Sequence, residues 1–282
     1  MYERPEDQKR TTSHNPQTIM LTKAYSLISY KLDCLDGKTG RVKDFYFDDQ
    51  FWKIRYLIVD TGEWLPGRQV LLAPRAISRV NDATELITVA LTKKQIEDSP
   101  SLADHKPVSR QFEDAYYCHY GWPQYWTGGN PSESSYPDSC DESGDGVRAN
   151  QTEKGADQHL RSTDEVSRYS IHATDKGIGH VEDFIIDDDT WKIRYLVVNT
   201  NNWWAGKKVL ISPHWIERIS VFELEVYLDL SREEIKRSPE YSEGALLTRD
   251  YEASLHKHYH RQEYWLKELM TEGSSVLNKT VF

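Results

Sequence analysis

Trp52-Lys53-Ile54-Arg55-Tyr56-Leu57 returns unchanged as Trp191-Lys192-Ile193-Arg194-Tyr195-Leu196, 139 residues further along the 282-residue chain. Carrying that offset outward without a gap extends the match. Gly40, Val42, Asp44, Phe45, Asp48 and Asp49 fall on Gly179, Val181, Asp183, Phe184, Asp187 and Asp188. Trp64, Gly67, Val70, Leu71, Pro74, Ile77 and Arg79 fall on Trp203, Gly206, Val209, Leu210, Pro213, Ile216 and Arg218. Between Gly40 and Val80, 21 of 41 positions are identical, so the chain carries one unit twice. The register persists to His119, Tyr120, Tyr125 and Trp126, which meet His258, Tyr259, Tyr264 and Trp265. This divides the chain into a disordered N-terminus (1–18), a first repeat (19–126), a flexible acidic linker (127–163), a second repeat (164–270) and a loose tail (271–282). The linker is rich in Gly, Ser, Asp, Glu and Asn and has few apolar residues to offset the entropy of ordering it.

Composition narrows the function classes. Nine Trp and 17 Tyr against three Met favour rigid, aromatic-rich β packing over a Leu-rich bundle. A formal charge of −10 repels nucleic-acid phosphates and anionic lipids, and no Lys/Arg run offsets it locally. Nucleic acid is therefore not an expected partner. Cys34, Cys118 and Cys140 form no C-x-x-C pair and are odd in number. They suggest neither a disulfide framework nor a zinc site, and a reducing cytoplasm is the expected compartment. The first 13 residues lack the apolar stretch of a signal peptide. No run approaches the roughly 20 apolar residues of a membrane span, so no direct insertion is expected.

Within one unit, Val42–Phe47 and Ile54–Asp60 are runs of β-branched and aromatic residues flanking Asp48-Asp49-Gln50, a hairpin signature. Further short strands follow around Val70–Leu72, Ile77–Val80 and Glu85–Val89. Thr92 with Gln95, and Ser231 with Glu234, are capping boxes that open short helices. Ser99-Pro100 and Ser238-Pro239 stop them. A second helix is expected after Ser109 and Thr248, with Phe112, Tyr116 and Tyr120 on one face.

The stretch from Asp36 to Phe45, the acidic hairpin, Arg55 to Thr61, and Gly67 to Pro74 together resemble the PRC-barrel family, as do Asp175 to Pro213. The aromatic tail of each unit resembles an extension of some bacterial members. The resemblance implies a mainly β fold: two small, strongly bent β-barrels of about six strands, each followed by short C-terminal helices. The family includes the cytoplasmic domain of the photosynthetic reaction-centre H subunit and the C-terminal domain of a ribosome-maturation factor. Both are non-catalytic docking modules. The chain shows neither the membrane helix of the first nor the separate N-terminal domain of the second, so either role carries over at the level of fold alone.

Several residues qualify as sites. Asp48, Asp49 and Asp187 to Asp189 could face a hard cation, but turn chemistry alone favours Asp there. His256 and His260 would share a divalent metal if both lay on one helix. The first copy has Tyr117 and Gly121 at those positions, and aromatic docking onto the barrel is the competing reading. Asp44 and Asp183, with Arg55 and Arg194, are tuned catalytic pairs, structural ion pairs or separate outward-facing charges. No Gly-rich phosphate loop or nucleophile elbow is present, and no cofactor is implied. The tryptophans remain. Trp64, Trp203 and Trp204 lie in expected loops and Trp52 and Trp191 beside the hairpin, as anchors for a protein partner, as caps on the barrel ends or as contacts to the other copy. Two homologous barrels can pair within one chain as a pseudo-twofold dimer, or between chains as a homo-oligomer. The reading is a non-catalytic binding or assembly protein. Its alternatives are a small-molecule or metal-responsive module and a peripheral component of a reaction-centre-like membrane assembly.

Overall fold

The computed structural model describes residues 21–62, 64–102, 108–124, 158–200, 207–244, 246–266 and 268. The first copy contains β1 (Leu21–Lys23), α1 (Ala24–Leu27), β2 (Lys31–Cys34), β3 (Gly37–Asp48), β4 (Lys53–Asp60), β5 (Gln69–Leu72), β6 (Ile77–Asn81), β7 (Leu86–Val89), α2 (Lys93–Glu97) and α3 (Arg110–His119). The second repeats the series as β8 (Leu160–Ser162), α4 (Thr163–Val166), β9 (Ser170–His172), β10 (Gly177–Asp187), β11 (Ile193–Asn199), β12 (Lys208–Ile211), β13 (Ile216–Ser220), β14 (Glu225–Leu228), α5 (Arg232–Arg237) and α6 (Arg249–His258). The fold is mainly β, with two mixed sheets of the same topology.

One sheet runs β5-β4-β3-β2-β7-β6 and the other β12-β11-β10-β9-β14-β13. Among the described residues only β2 with β7 and β9 with β14 are parallel. β3 pairs with β2 at its start and with β4 from Arg41 to Asp48, and register shifts at Val42/Asp44 and Tyr46/Phe47 bend it. Gly40 permits the close approach of β3 to β4. Its φ is +49°, and a Cβ there would lie 2.7 Å from Val59 Cγ1. Gly179 does the same in the second copy, where a Cβ would lie 2.0 Å from the Asn199 carbonyl oxygen. No ladder among the described residues joins β5 to β6 or β12 to β13.

The expected helices form where their caps predicted. Thr92 and Ser231 each complete a capping box, and Ser109 and Thr248 accept from the backbone three residues on. These reciprocal bonds satisfy donors that a helix start leaves orphaned. α3 then lays Phe112 and Tyr116 against Tyr56 and Leu71 in a small apolar cluster.

The first strand of each copy completes the sheet of the other. β1 pairs with β10, Leu21 opposite Asp187 and Lys23 opposite Ile185. β8 pairs with β3, Leu160 opposite Asp48 and Ser162 opposite Tyr46. The two ladders are related residue for residue by the 139-residue offset. Lys53 faces Lys192, its own counterpart, where the pseudo-twofold axis passes. The apolar core is continuous across this junction, and Phe47 meets Phe184 with ring centroids 5.5 Å apart. β8 and the start of α4 fall inside residues 127–163, read from sequence as a linker. Residues 158–163 are thus ordered on the first sheet, while 125–157 lie outside the described residues.

The cysteines depart from expectation. Cys34 is free, and burial pushes its thiol up to about 11. Cys118 is disulfide-bonded, and Cys140 lies outside the described residues. A disulfide requires closeness in space, which sequence spacing does not set. The cysteine argument for a reducing compartment therefore no longer holds. Among the described residues, no helix is long and apolar enough to cross a membrane.

Candidate functional site

The backbones of Trp52 and Trp191 bond to the other copy. Both have left-handed backbones, φ 51° and 59°, which bulky residues seldom adopt. The surrounding structure holds them there. The Asp48 carbonyl accepts from Trp52 N–H, the Asp187 carbonyl accepts from Trp191 N–H, and both bonds are 2.8 Å. Each tryptophan carbonyl then accepts from the opposite copy: Ile54 N–H donates to Trp191 at 2.8 Å and Ile193 N–H to Trp52 at 2.7 Å. Trp191 is buried, and Trp52 stacks on Phe47. Trp64 is half-buried against the core and lines a cavity of the first copy. Trp203 and Trp204 lie outside the described residues.

The strand charges pair differently from expectation. Arg55 donates to Asp48 at 2.9 Å, and Arg194 to Asp187 at 2.7 Å, not to Asp44 and Asp183. Residues seven apart on the two arms of one hairpin meet across it, which brings the hairpin carboxylate to the arginine. Burial alone would raise the Asp187 carboxyl, but the Thr190 N–H and Arg194 hold it below its ordinary value. In the first copy Asp48 also accepts from the Gln50 and Phe51 N–H groups. Asp48 and Asp187 are therefore engaged as turn and ion-pair groups. Among the described residues no cluster of three or more His, Cys, Asp or Glu could hold a metal ion.

Asp44 and Asp183 sit instead at the strand exchange. Asp44 accepts from Ser162 Oγ at 2.5 Å, Thr163 Oγ1 at 2.8 Å and Asp164 N–H at 3.0 Å, tying the start of α4 to the first sheet. Lys23 and Ala24 stand at the equivalent positions opposite Asp183, which accepts from Tyr25 and Phe184 N–H groups only. Burial pushes the Asp183 carboxyl up to about 6. A carboxyl raised in the folded state stabilises most when protonated. That contribution is full below the ordinary carboxylate range, declines as pH rises to about 6, and is absent above it. Asp183→Asn is therefore expected to raise stability at neutral pH by up to about 3 kcal/mol and to flatten this slope. Denaturant titrations of both proteins between about pH 4 and 7 measure the difference; parallel profiles would contradict it.

The histidines are structural in their contacts. His119 and His258 each bond, at 2.9 and 2.8 Å, a carbonyl of the preceding short helix, on Gln95 and Glu234. His256 is buried, with one ring nitrogen 3.1 Å from the Gln262 carbonyl and the other 3.2 Å from Tyr195 Oη. His260 lies beyond the end of α6, exposed, with φ 52°. The helical i, i+4 geometry that would let His256 and His260 share a metal is thus broken by the helix end.

The sequence reading missed a duplicated buried carboxylate. Glu113 accepts from Tyr56 Oη at 2.6 Å and pairs with Arg110 at 2.7 Å. Glu252 accepts from Tyr195 and Tyr264 hydroxyls at 3.0 and 2.9 Å and pairs with Arg249 at 2.9 Å. Burial raises the Glu252 carboxyl. These groups bind the last helix of each copy to its sheet. The signal was present: Tyr, Arg and Glu all recur at the 139-residue offset, and the Arg–Glu spacing is i, i+3.

Surfaces that differ between the copies are the other candidates. The turn joining β13 to β14 exposes Val221, Phe222 and Leu224, with Phe222 98% and Leu224 52% accessible. The first copy has Asp82, Ala83 and Glu85 at those positions.

A mainly β chain with two mixed sheets of the same topology, each followed by short helices, is thus the class of structure. The PRC-barrel domain family matches residues 170–235, from β9 into α5. No curated protein matches the chain.

Proposed function

We propose that the chain is a non-catalytic binding protein whose two PRC-like, barrel-like units form a single platform for a protein partner. The observation that carries this reading is Phe222, almost fully exposed at a turn where the other copy has Ala83. The two copies must satisfy the same fold, so residues they share serve the fold first. The shared charges are engaged in structural contacts: Asp48 with Arg55, Asp187 with Arg194, Glu113 with Tyr56, Glu252 with Tyr195. These four contacts are structural, which supports a non-catalytic reading. An exposed aromatic flanked by aliphatics, on one copy alone, has no such use and fits an apolar pocket on a partner.

The test is affinity capture from native lysate with wild type and a Phe222→Ser/Leu224→Ser variant, followed by titration of the purified partner. Both residues are exposed, so the variant should keep the wild-type melting temperature. Binding is expected to weaken about thirtyfold, as for loss of a hot spot worth about 2 kcal/mol. A partner that binds both proteins equally, or the absence of any partner of the wild type, would count against the turn as the docking surface.

A further inference from the structure

The fold gathers cations that the sequence scatters. Lys31 of β2, Lys38, Arg41 and Lys43 of β3, and Lys93 at the start of α2 line one cavity of about 660 Å³ on the first copy. Among the described residues none of the four lysines has an ion-pair partner. Arg41 reaches only the Ser29 carbonyl, at 3.5 Å. Among the described residues a single carboxylate, Asp60, shares the lining, and it accepts from Gly62 N–H at 2.9 Å. Thr39 also lines the cavity, and its buried hydroxyl makes no hydrogen bond. Buried polar groups without partners are uncommon and require a reason.

The fold does not demand this arrangement. At the positions equivalent to Lys31, Lys38, Arg41 and Lys43 the second copy has Ser170, Gly177, His180 and Glu182. Glu182 is itself neutralised by Lys208. Only Lys93 keeps a cationic counterpart, Arg232, so the same sheet forms without four of the five cations. Like charges around one concavity repel, and the strain is relieved when an anion enters. The chain as a whole carries −10, so the surface outside the cavity is more acidic still. That surface repels an extended polyanion such as nucleic acid or an anionic bilayer but leaves a small anion free to enter. The cavity volume falls within the roughly 300–1,000 Å³ of small-molecule sites.

We propose that this cavity binds a soluble small molecule carrying two or more phosphate groups, with a ring or other apolar part against Trp64. Two phosphates carry about the charge needed to balance five cations and one carboxylate. The half-buried indole, at the wall of the same cavity, offers the ligand's apolar part a surface. The site lies on the first copy and the Phe222 turn on the second, so either stands if the other fails.

Calorimetric titration of the full chain with ADP, pyrophosphate and tripolyphosphate tests the proposal, with sedimentation on vesicles of equal parts phosphatidylcholine and phosphatidylglycerol. The variant is Lys38→Ala/Lys43→Ala. The control is Lys236→Ala/Arg237→Ala, which removes the same charge from α5. The soluble phosphates are expected to bind wild type and control, more weakly as salt rises. The cavity variant should bind them about tenfold more weakly or worse, with an unchanged melting temperature. ADP should bind more tightly than pyrophosphate and quench tryptophan fluorescence. No binding by the wild type, or equal loss in variant and control, would overturn the proposal. So would vesicle binding without binding of soluble phosphates, which would assign the cations to a lipid surface. Equal affinity for ADP and pyrophosphate would remove Trp64 from the site.

Discussion

Expressed apart, residues 1–150 and 151–282 are expected to fail as stable monomers; co-expressed, they are expected to form a 1:1 complex. Each fragment carries a leader strand whose ladder lies in the other: β1 on β10, β8 on β3. Separation strips three residues of pairing from each sheet and opens the backbone bonds between Ile54 and Trp191 and between Ile193 and Trp52. It also uncovers the continuous core where Phe47 meets Phe184. A long edge strand with an apolar flank is a template for association. Each fragment alone should therefore aggregate, or pair with itself by exchanging its own leader strand as in domain swapping. Light scattering after size exclusion, with thermal melts, reads the result. Two monomeric fragments that melt near the intact chain would show that the exchange is incidental.

The second large effect is expected from Trp52→Ala/Trp191→Ala. Truncating a buried Trp typically costs about 3–5 kcal/mol. Trp191 is buried and Trp52 half-buried, so the pair should remove a large part of the roughly 5–15 kcal/mol that stabilises an ordinary domain. The positive φ sharpens the experiment. Glycine relieves a left-handed backbone that alanine retains, at about 1–2 kcal/mol per residue. Trp52→Gly/Trp191→Gly should thus be no less stable than the alanine variant, contrary to the usual order. Urea titrations measure both. Loss below about 1 kcal/mol for the alanine pair would remove the tryptophans from the junction's energetics.

Much of the fold was legible because duplication supplied an internal comparison. The repeated hexapeptide placed β4 and β11, the Asp-rich turns placed the hairpins, and Thr92 and Ser231 placed two helix starts. The strand exchange was not legible. Leu21-Thr22-Lys23 and Leu160-Arg161-Ser162 are too short to show alternation. Moreover β3 and β10 each offer a leader strand two apolar residues and an aspartate, Tyr46-Phe47-Asp48 or Ile185-Ile186-Asp187, so the residue pattern does not distinguish its own copy from the other. The pairing of Arg55 and Arg194 followed from hairpin register, which charge pattern alone does not give. The cationic cavity escaped notice because its five cations come from two strands and a helix spread over Lys31 to Lys93. A search for runs of Lys and Arg does not find charges that only folding collects. Val221-Phe222-Glu223-Leu224 was visible in the sequence, and comparing it with Asp82-Ala83-Thr84-Glu85 would have singled it out.

Differential scanning calorimetry of the intact chain tests most directly whether the two copies are one folding unit. The exchanged strands and shared core predict a single transition whose calorimetric and van't Hoff enthalpies agree, shifted as a whole by Trp191→Ala. Two separate transitions, with Trp191→Ala moving one of them alone, would contradict that claim.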